Sequence, residues 1–532
     1  MEPLKKYLPY VILVILVVAV FHQALFAQYV LWDDDALITN NVLLKMPFAE
    51  AFKTATSVYY HGDYFPLTLM SYWFDAQVFG MNPLWQHLEN LFLHLLSVCL
   101  LFSFLSSFTK DRRISFIISL LFAIHPLQTE SVMWLSERKS LLSAVFTFLS
   151  LIFYQKTYTE VGRVRNYILA LVCFVLAGMA KATGLFIPIL FLLIDTFVLK
   201  KDLRRISLKF IPMALLAGAM MLVRVQAYSA SVTEMSGVLW DSQRLLILPV
   251  ITLNAVAFYL QKFFLPMNFS PIYSDFALTP VTVVLAFIVA IMGIVALWAL
   301  WRKKNFYFLF FILWFVLFLL PVLQIIPRVN YVNDRYMYLP MIGFAGALMY
   351  SIRWLSSKHG IAWIGLWSLF LIFQSYSFSK FWLDNRSLWS QAVLVTPESA
   401  IAHNNLGLEF QSSGDFSKAV EQYNLVLSGH EHIEKKLLAY VNLATVYMNS
   451  RYEGYNQEKA AALLTEGIQQ VRRQRDSYEL RANLGMLYRS MGKPDEARNI
   501  LLDLLKDLNT ESDYRFQWLK PIVENQLQLL QK

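Results

Sequence analysis

The chain has 532 residues, of which 57% are hydrophobic and only 16% charged. A soluble globular protein carries roughly 25% charged and about 45–50% apolar residues, so the bulk of this chain belongs in lipid. The net charge of +9 does not argue for a nucleic-acid partner, because the basic residues of the apolar part lie in short clusters between apolar runs, which is a topology signal.

Lys5 and Lys6 precede a first apolar run from about Leu8 to Tyr29. That run is too long for a signal-peptide core and lacks a clear small-residue exit, so it reads as a retained anchor. Next comes the acidic stretch Trp32-Asp33-Asp34-Asp35. Three adjacent carboxylates repel one another, so the triplet is costly unless a cation or a proton makes use of it. The plainer alternative is a solvated loop or a helix cap, to which Asp is suited.

A span needs about 20 apolar residues. Candidate runs lie at 8–28, 88–108, 114–126, 140–155, 167–180, 184–199, 208–224, 280–301, 306–326, 340–356 and 361–380. With these, the clusters around Lys6, Arg112, Arg163, Arg204, Lys303 and Lys358 all fall on one side, the cytoplasmic one. The expectation is therefore a polytopic all-α membrane domain over 1–383 with about eleven spans. It places the N-terminus in the cytoplasm and the C-terminal part outside it, in the inner or plasma membrane if the cell is bacterial. Residues 244–266 are apolar enough to cross, but Pro249 and Pro266 suggest a broken or interfacial segment on the outer face. Cys99 and Cys173 fall inside apolar runs, leaving no disulfide framework or cysteine zinc site.

Four polar constellations gather on the outer side. The large first outer loop, 29–86, holds His61-Gly62-Asp63-Tyr64 and runs into His87, Asn90 and His94 at helical spacing. A divalent metal is one use of such groups; hydrogen bonding between spans is the commoner one. His125-Pro126-Leu127-Gln128-Thr129-Glu130 is followed by Glu137-Arg138-Lys139, where Arg138 suits a phosphate bidentately and Lys139 as a point charge. The plain alternative pairs Glu137 with a neighbouring cation. Lys181 stands alone between two short spans, and Asp334-Arg335-Tyr336 sits at a span mouth. Together they make a carboxylate centre ringed by cationic sites. A lipid-linked phosphosugar needs such cations at its phosphate, and its acceptor hydroxyl needs a carboxylate base. An oxocarbenium-like transition state is stabilised by the same carboxylates.

At these residues the chain resembles a known family. Asp33-Asp34 after the first span, Tyr64-Phe65-Pro66-Leu67-Thr68, His87-x-x-Asn90-x-x-x-His94, His125-Pro126-x-x-Thr129-Glu130 and Asp334-Arg335-Tyr336-x-Tyr338-Leu339-Pro340 look like the membrane-and-tetratricopeptide O-mannosyltransferases. That family lies within the GT-C class of polyprenyl-phosphate-sugar glycosyltransferases. Phe65 stands where many members carry Arg, and Ala182 where many carry an acidic residue. The resemblance implies a lipid-linked sugar donor, mannose among the candidate sugars, and protein Ser or Thr as acceptor. It places the acidic pair on Asp34 and Asp33, with Asp34 the first choice of base. Arg138, Lys139, Lys181 and Arg335 would then hold the donor phosphate, supported by His61, Asp63, His87, Asn90, His125, Glu130, Asp334 and Tyr336.

After a linker over 384–398 the composition turns soluble, and a period emerges. Leu406-Gly407, Phe410, Gly414 and Ala419 match Leu484-Gly485, Tyr488, Gly492 and Ala497, the spacing of tetratricopeptide repeats. Repeats are expected near 400–433, 437–474 and 478–511, within a 399–532 α-solenoid. Asn404, Asn405, Asn442 and Asn483 recur on the helix that lines the groove, where an amide can grip an extended acceptor peptide with donor and acceptor. Ordinary helix-surface Asn is the alternative. Two rival functions stay open: a transporter, which calls for ionisable groups in mid-membrane, and a non-catalytic membrane-anchored scaffold, for which one span would suffice.

Overall fold

The computed structural model describes residues 2–57, 63–159, 162–198, 203–231, 242–273, 279–302, 305–324, 330–352, 357–429, 431, 433–471, 474–511, 516 and 518–530. Helices dominate, and no β-strand forms among the described residues. The chain divides into two units, Met1–Asp384 and Asn385–Lys532.

In the first unit seven described helices are long and apolar enough to cross a membrane: Lys5–Phe26, Pro83–Thr109, Leu135–Tyr158, Arg163–Ala180, Lys209–Gln226, Leu246–Phe264 and Lys358–Trp382. A bent pair, Arg112–Ile124 and Pro126–Met133, adds an eighth if counted as one span, and the 56° bend sits at His125-Pro126. Ala182–Thr196, Pro280–Val295 and Phe306–Val322 are apolar but shorter. The chain is thus an integral membrane protein; seven or eight described helices are long and apolar enough to cross, short of the eleven expected, and several of the expected runs are short or broken. The run at 184–199 is a 3-10 turn, a helix of seven residues and a wider π-type turn in succession. Within the run at 340–356 the helix Pro340–Ser351 is described, and residues 353–356 lie outside the described residues.

Residues 244–266 are not broken, which the sequence offered as one of two forms for them. Up to Phe264 they belong to one unbroken helix, Ser242–Phe264, with Pro249 inside it and Pro266 past its end. A proline removes one backbone donor, but an apolar environment penalises every further break more, since no water replaces the lost bonds.

Helix ends follow local chemistry. Asn82 accepts from Leu84 N ahead of Pro83 at the first helical position. Asp111 accepts from the amides of Arg113 and Ile114, while Lys110 takes a left-handed φ of 57° to make the reversal. Phe306–Leu319 and Pro340–Ser351 pack with their backbones unusually close, because Gly343 has no side chain. A Cβ there would lie 2.4 Å from Phe315 N.

The first outer loop is folded rather than extended. It carries the helices Phe48–Ser57 and Pro66–Phe79. Leu37, Ile38, Leu43, Leu44, Ala51, Ala55, Phe65, Leu69 and Tyr72 form its core together with Leu135. Trp73 Nε1 donates to Met46 O at 2.9 Å and Gln77 Nε2 to Leu44 O at 2.7 Å, pinning the two segments.

The second unit is a stack of helix pairs: Ala400–Ser412 with Phe416–Ser428, Ile433–Tyr447 with Gln457–Gln470, and Tyr478–Ser490 with Pro494–Thr510. Gly407 and Gly485 sit where a Cβ would meet the Tyr423 ring and the Leu501 side chain, each at 2.6 Å. The span read as a linker is itself helical over Asn385–Val395, with Leu388, Trp389 and Ala392 buried. Leu519–Leu529 closes the far end, burying Leu519 and Val523 against Tyr478, Leu501 and Leu504.

Candidate active site

The acidic triplet is divided by its surroundings. Asp34 is 1% exposed. Its Oδ2 accepts from Val30 N at 3.1 Å, and its Oδ1 accepts from Ser136 N at 3.0 Å and Ser136 Oγ at 2.5 Å. Burial pushes its carboxyl up to about 7, against the lowering effect of those bonds to Ser136 and Val30. Asp33 is half-buried, and its carboxylate accepts no hydrogen bond from a described residue. Asp34 thus ties the acidic turn to the Leu135–Glu137 turn, while Asp33 keeps its lone pairs for other use.

Glu137, at the end of that second turn, lines a cavity of about 120 Å³ together with Asp63, Lys139, Ser140, Lys181, Arg335 and Tyr336 among others. Three cations converge on it from three separate segments. Lys181 contacts a Glu137 oxygen closely and donates to Ser140 Oγ at 2.6 Å. Lys139 Nζ lies 3.6 Å from the other Glu137 oxygen. Arg335 donates from Nη1 to Glu130 Oε1 at 2.5 Å and from its backbone N to Glu130 Oε2 at 2.8 Å, with Nε 3.9 Å from Glu137. Burial lowers the Lys181 ammonium below its ordinary range, opposed by Glu137. Arg335 is buried too, but Glu130 more than offsets this and holds it above its usual value.

Arg138 is not part of this cavity, contrary to the sequence expectation of a phosphate ligand. Its side chain is 0% exposed, whereas Lys139 and Lys181 keep 17% and Arg335 13%. Its guanidinium is occupied by Asp75 at 2.6 Å, Glu89 at 2.9 Å, Asn90 Oδ1 at 2.9 Å and Gln86 O at 3.1 Å, and it lies over the Tyr72 ring. Residues 138 and 139 leave a helix start in different directions, and only Lys139 faces the cavity.

A tetratricopeptide-repeat family profile matches residues 478–506. Protein O-mannosyl-transferase TMTC1 of Mus musculus is 32% identical over 101 residues, 19% of this chain and 11% of that protein. TMTC3 of the same species is 31% identical over 159 residues, 27% of this chain and 16% of that protein. TMTC2 of Homo sapiens is 31% identical over 145 residues, 26% of this chain and 17% of that protein. Over these stretches the chain is similar to the protein O-mannosyl-transferases. It spans less than a fifth of the length of each of these three relatives. No solved structure matches it.

The remaining residues that the O-mannosyltransferase resemblance singles out fall into two groups. Asp63 and Tyr336 line the cavity, and Asp63 is held by Arg224 at 2.6 Å. Glu130 and Asp334 stand behind it. Glu130 orients Arg335, and Asp334 accepts from Tyr273 Oη at 3.0 and 2.8 Å, fixing the turn that carries Arg335 and Tyr336. Burial pushes the Asp334 carboxyl above its usual range, against Lys262. His87, Asn90, His94 and His125 are buried supports away from the cavity. Asn90 accepts from Arg138. His94 Nδ1 accepts from Tyr338 Oη at 2.8 Å and Nε2 donates to Ala123 O at 3.3 Å. His125 Nδ1 accepts from Leu127 N at 3.2 Å, so its Nε2 carries the proton donated to Phe263 O at 3.0 Å. His61 lies outside the described residues. Among the described residues no three His, Cys, Asp or Glu side chains are grouped to hold a metal ion.

In the repeat unit Asn404 is buried and accepts from Asn442 Nδ2 at 3.0 Å, so two of the four groove amides bind one another across adjacent repeats. Asn483 donates to Glu479 O in its own helix at 2.8 Å. Asn405 is half-buried. Sequence reasoning missed Ser140 as part of the site, gave Ser136 no role beyond its place beside Glu137, and left Glu137 as a mere pairing partner. Two serines flanking a Glu-Arg-Lys run carry no motif of their own.

Proposed function

We propose that the chain is a membrane glycosyltransferase that moves a sugar from a polyprenyl-phosphate donor to a protein Ser or Thr hydroxyl, on the extracytoplasmic face. The observation that carries this reading is the convergence of Lys139, Lys181 and Arg335 on one small cavity lined by Glu137, whose chain neighbour Ser136 is bonded to the acidic turn. The similarity to protein O-mannosyl-transferases supports the reaction class.

In this scheme the donor phosphate lies among the three cations. The acceptor hydroxyl attacks the anomeric carbon and gives its proton to a carboxylate, the sugar–phosphate bond breaks, and the phosphate keeps the electron pair. Asp33 is the better base, reversing the order read from the sequence, because Asp34 is enclosed and committed through both oxygens. Asp34 acts as the clamp that holds the base beside the cavity wall. The repeat unit would present the acceptor segment, with Asn405 the groove amide not spent on a neighbour.

The test is transfer by purified protein, in detergent or nanodiscs, from a radiolabelled polyprenyl-phosphate sugar to Ser/Thr peptides. Transfer that disappears in Lys181→Gln and Arg335→Gln, with folding intact, supports the reading. Absence of both transfer and donor binding in the wild type returns the chain to the scaffold reading.

A further inference from the structure

Glu137 is a feature of the cavity that a phosphate site does not obviously need. A carboxylate inside an anion site repels the ligand, yet this one is 0% exposed and set among all three cations. Its Oε1 is shared by Lys181 and Ser140. Its Oε2 is buried with no hydrogen-bond partner, 3.6 Å from Lys139 Nζ and 3.9 Å from Arg335 Nε. That oxygen attracts the cations without saturating their donors.

The charges that line the cavity are Lys139, Lys181 and Arg335 against Glu137 and Asp63. Three cations and two carboxylates leave one positive charge. The reaction proposed above changes the charge of the bound phosphate. The donor is a phosphodiester with one negative charge. Transfer of the sugar breaks its sugar–oxygen bond and leaves a phosphomonoester, which carries about −1.5 to −2 at neutral pH, while the acceptor's proton passes to the base. A cavity of charge +1 neutralises the donor and is overcharged by the product.

We propose that Glu137 is a charge-balancing residue that makes the cavity prefer the phosphodiester donor and release the phosphomonoester product. The inference rests on the glycosyltransferase reading of the site. Without Glu137 the cavity would carry two positive charges, match the product, and become product-inhibited.

The experiment measures binding of two probes to the full chain in nanodiscs: a short isoprenoid phosphate and its methyl phosphodiester. Wild type should bind the diester at least as tightly as the monoester, although the monoester has the greater charge. Glu137→Gln should tighten monoester binding by on the order of tenfold and diester binding by clearly less, as expected of one charge removed at close range. In steady state, kcat and KM should both fall, while the rate of a single turnover is retained. A purely structural role would weaken both probes together. The double variant Glu137→Gln/Lys181→Gln restores the net charge and should return the ratio of the two affinities toward the wild-type value. If Glu137→Gln does not fold, the wild-type comparison still decides, because strong preference for the monoester there overturns the proposal. An unchanged affinity ratio in a folded Glu137→Gln also overturns it. Failure of both probes to bind wild type instead overturns the underlying reading of the site.

Discussion

Replacing Asp34 by Asn keeps its size but puts an amide group where one carboxylate oxygen now accepts a backbone hydrogen bond. One buried N–H is then left unsatisfied, at a cost of about 1–3 kcal/mol. Asp34→Asn should therefore lower the unfolding midpoint, whereas Asp33→Asn should leave it unchanged and lower turnover by roughly 10²–10⁴-fold, as for a lost general base. Thermal unfolding and transfer assays on the two variants separate clamp from base, and equal loss of turnover at unchanged stability in both would put Asp34 back as the base. The pH dependence has a definite sign. Burial holds the folded Asp34 near 7, above the unfolded value of about 3.9, so the folded state binds the extra proton between those limits. The stability from this group is complete below about pH 4 and is lost as pH rises to 7; the Asn variant should remove that slope. Arg138 gives a third case. Arg138→Ala strands the buried Asp75 without its partner and leaves the half-buried Glu89 beside it, which costs about 3–5 kcal/mol, so it should fail by unfolding. Arg335→Ala should instead weaken donor binding by about 1.5–3 kcal/mol. Donor titration and unfolding curves of both variants check the contrast.

Among the elements, those with a repeating pattern were legible in the sequence and those built from distant partners were not. The tetratricopeptide pairs followed from Gly407 and Gly485 at matching positions, because a small residue is needed where Tyr423 and Leu501 close the pair. The cations of the site were legible as charges at span mouths, since such charges are costly anywhere near lipid. Which of them faces the cavity was not. Asp75 and Glu89 reach Arg138 from two other helices, and no spacing along the chain encodes that meeting. The helices inside 29–86 were missed for a related reason: their core is shared with Leu135, far along the chain. Gly343 gives an element-level test. A methyl group there would meet Phe315 N at 2.4 Å and Phe311 O at 2.6 Å, both backbone atoms that cannot rotate away. Gly343→Ala should force Phe306–Leu319 and Pro340–Ser351 apart and cost at least about 1–3 kcal/mol, the usual range for overpacking. Gly365→Ala, in open space, is the matched control for the unfolding measurement.

At the scale of the whole molecule, the helix Ser242–Phe264 decides the topology. By length and composition it could cross the membrane, and a full crossing would place the Lys303 and Lys358 clusters on the opposite side from those around Arg112 and Arg163. Its contacts argue otherwise. Thr252 Oγ1 donates to Leu323 O at 3.0 Å, just past the Phe306–Val322 helix whose Pro321 and Val322 line the cavity. Seven residues later, Tyr259 Oη donates to Asn333 O at 3.2 Å, and Phe263 O accepts from His125 at the bend. Beyond the helix Tyr273 reaches Asp334. From Thr252 onward, about 18 Å of helix at 1.5 Å per residue stays among residues at the cavity end of the bundle, where a crossing segment would leave them within two or three turns. We infer that the helix runs along that end and returns the chain to the side it came from, the arrangement under which the basic clusters share one face. Single cysteines placed at Thr39 and at Thr279, both exposed, in a chain whose Cys99 and Cys173 are replaced by Ala, test this directly. Both should react with a membrane-impermeant maleimide from the same, extracytoplasmic side of intact cells or spheroplasts. Labelling of position 279 from the side opposite to position 39 would mean that Ser242–Phe264 crosses, and the one-sided arrangement of the basic clusters would fall with it.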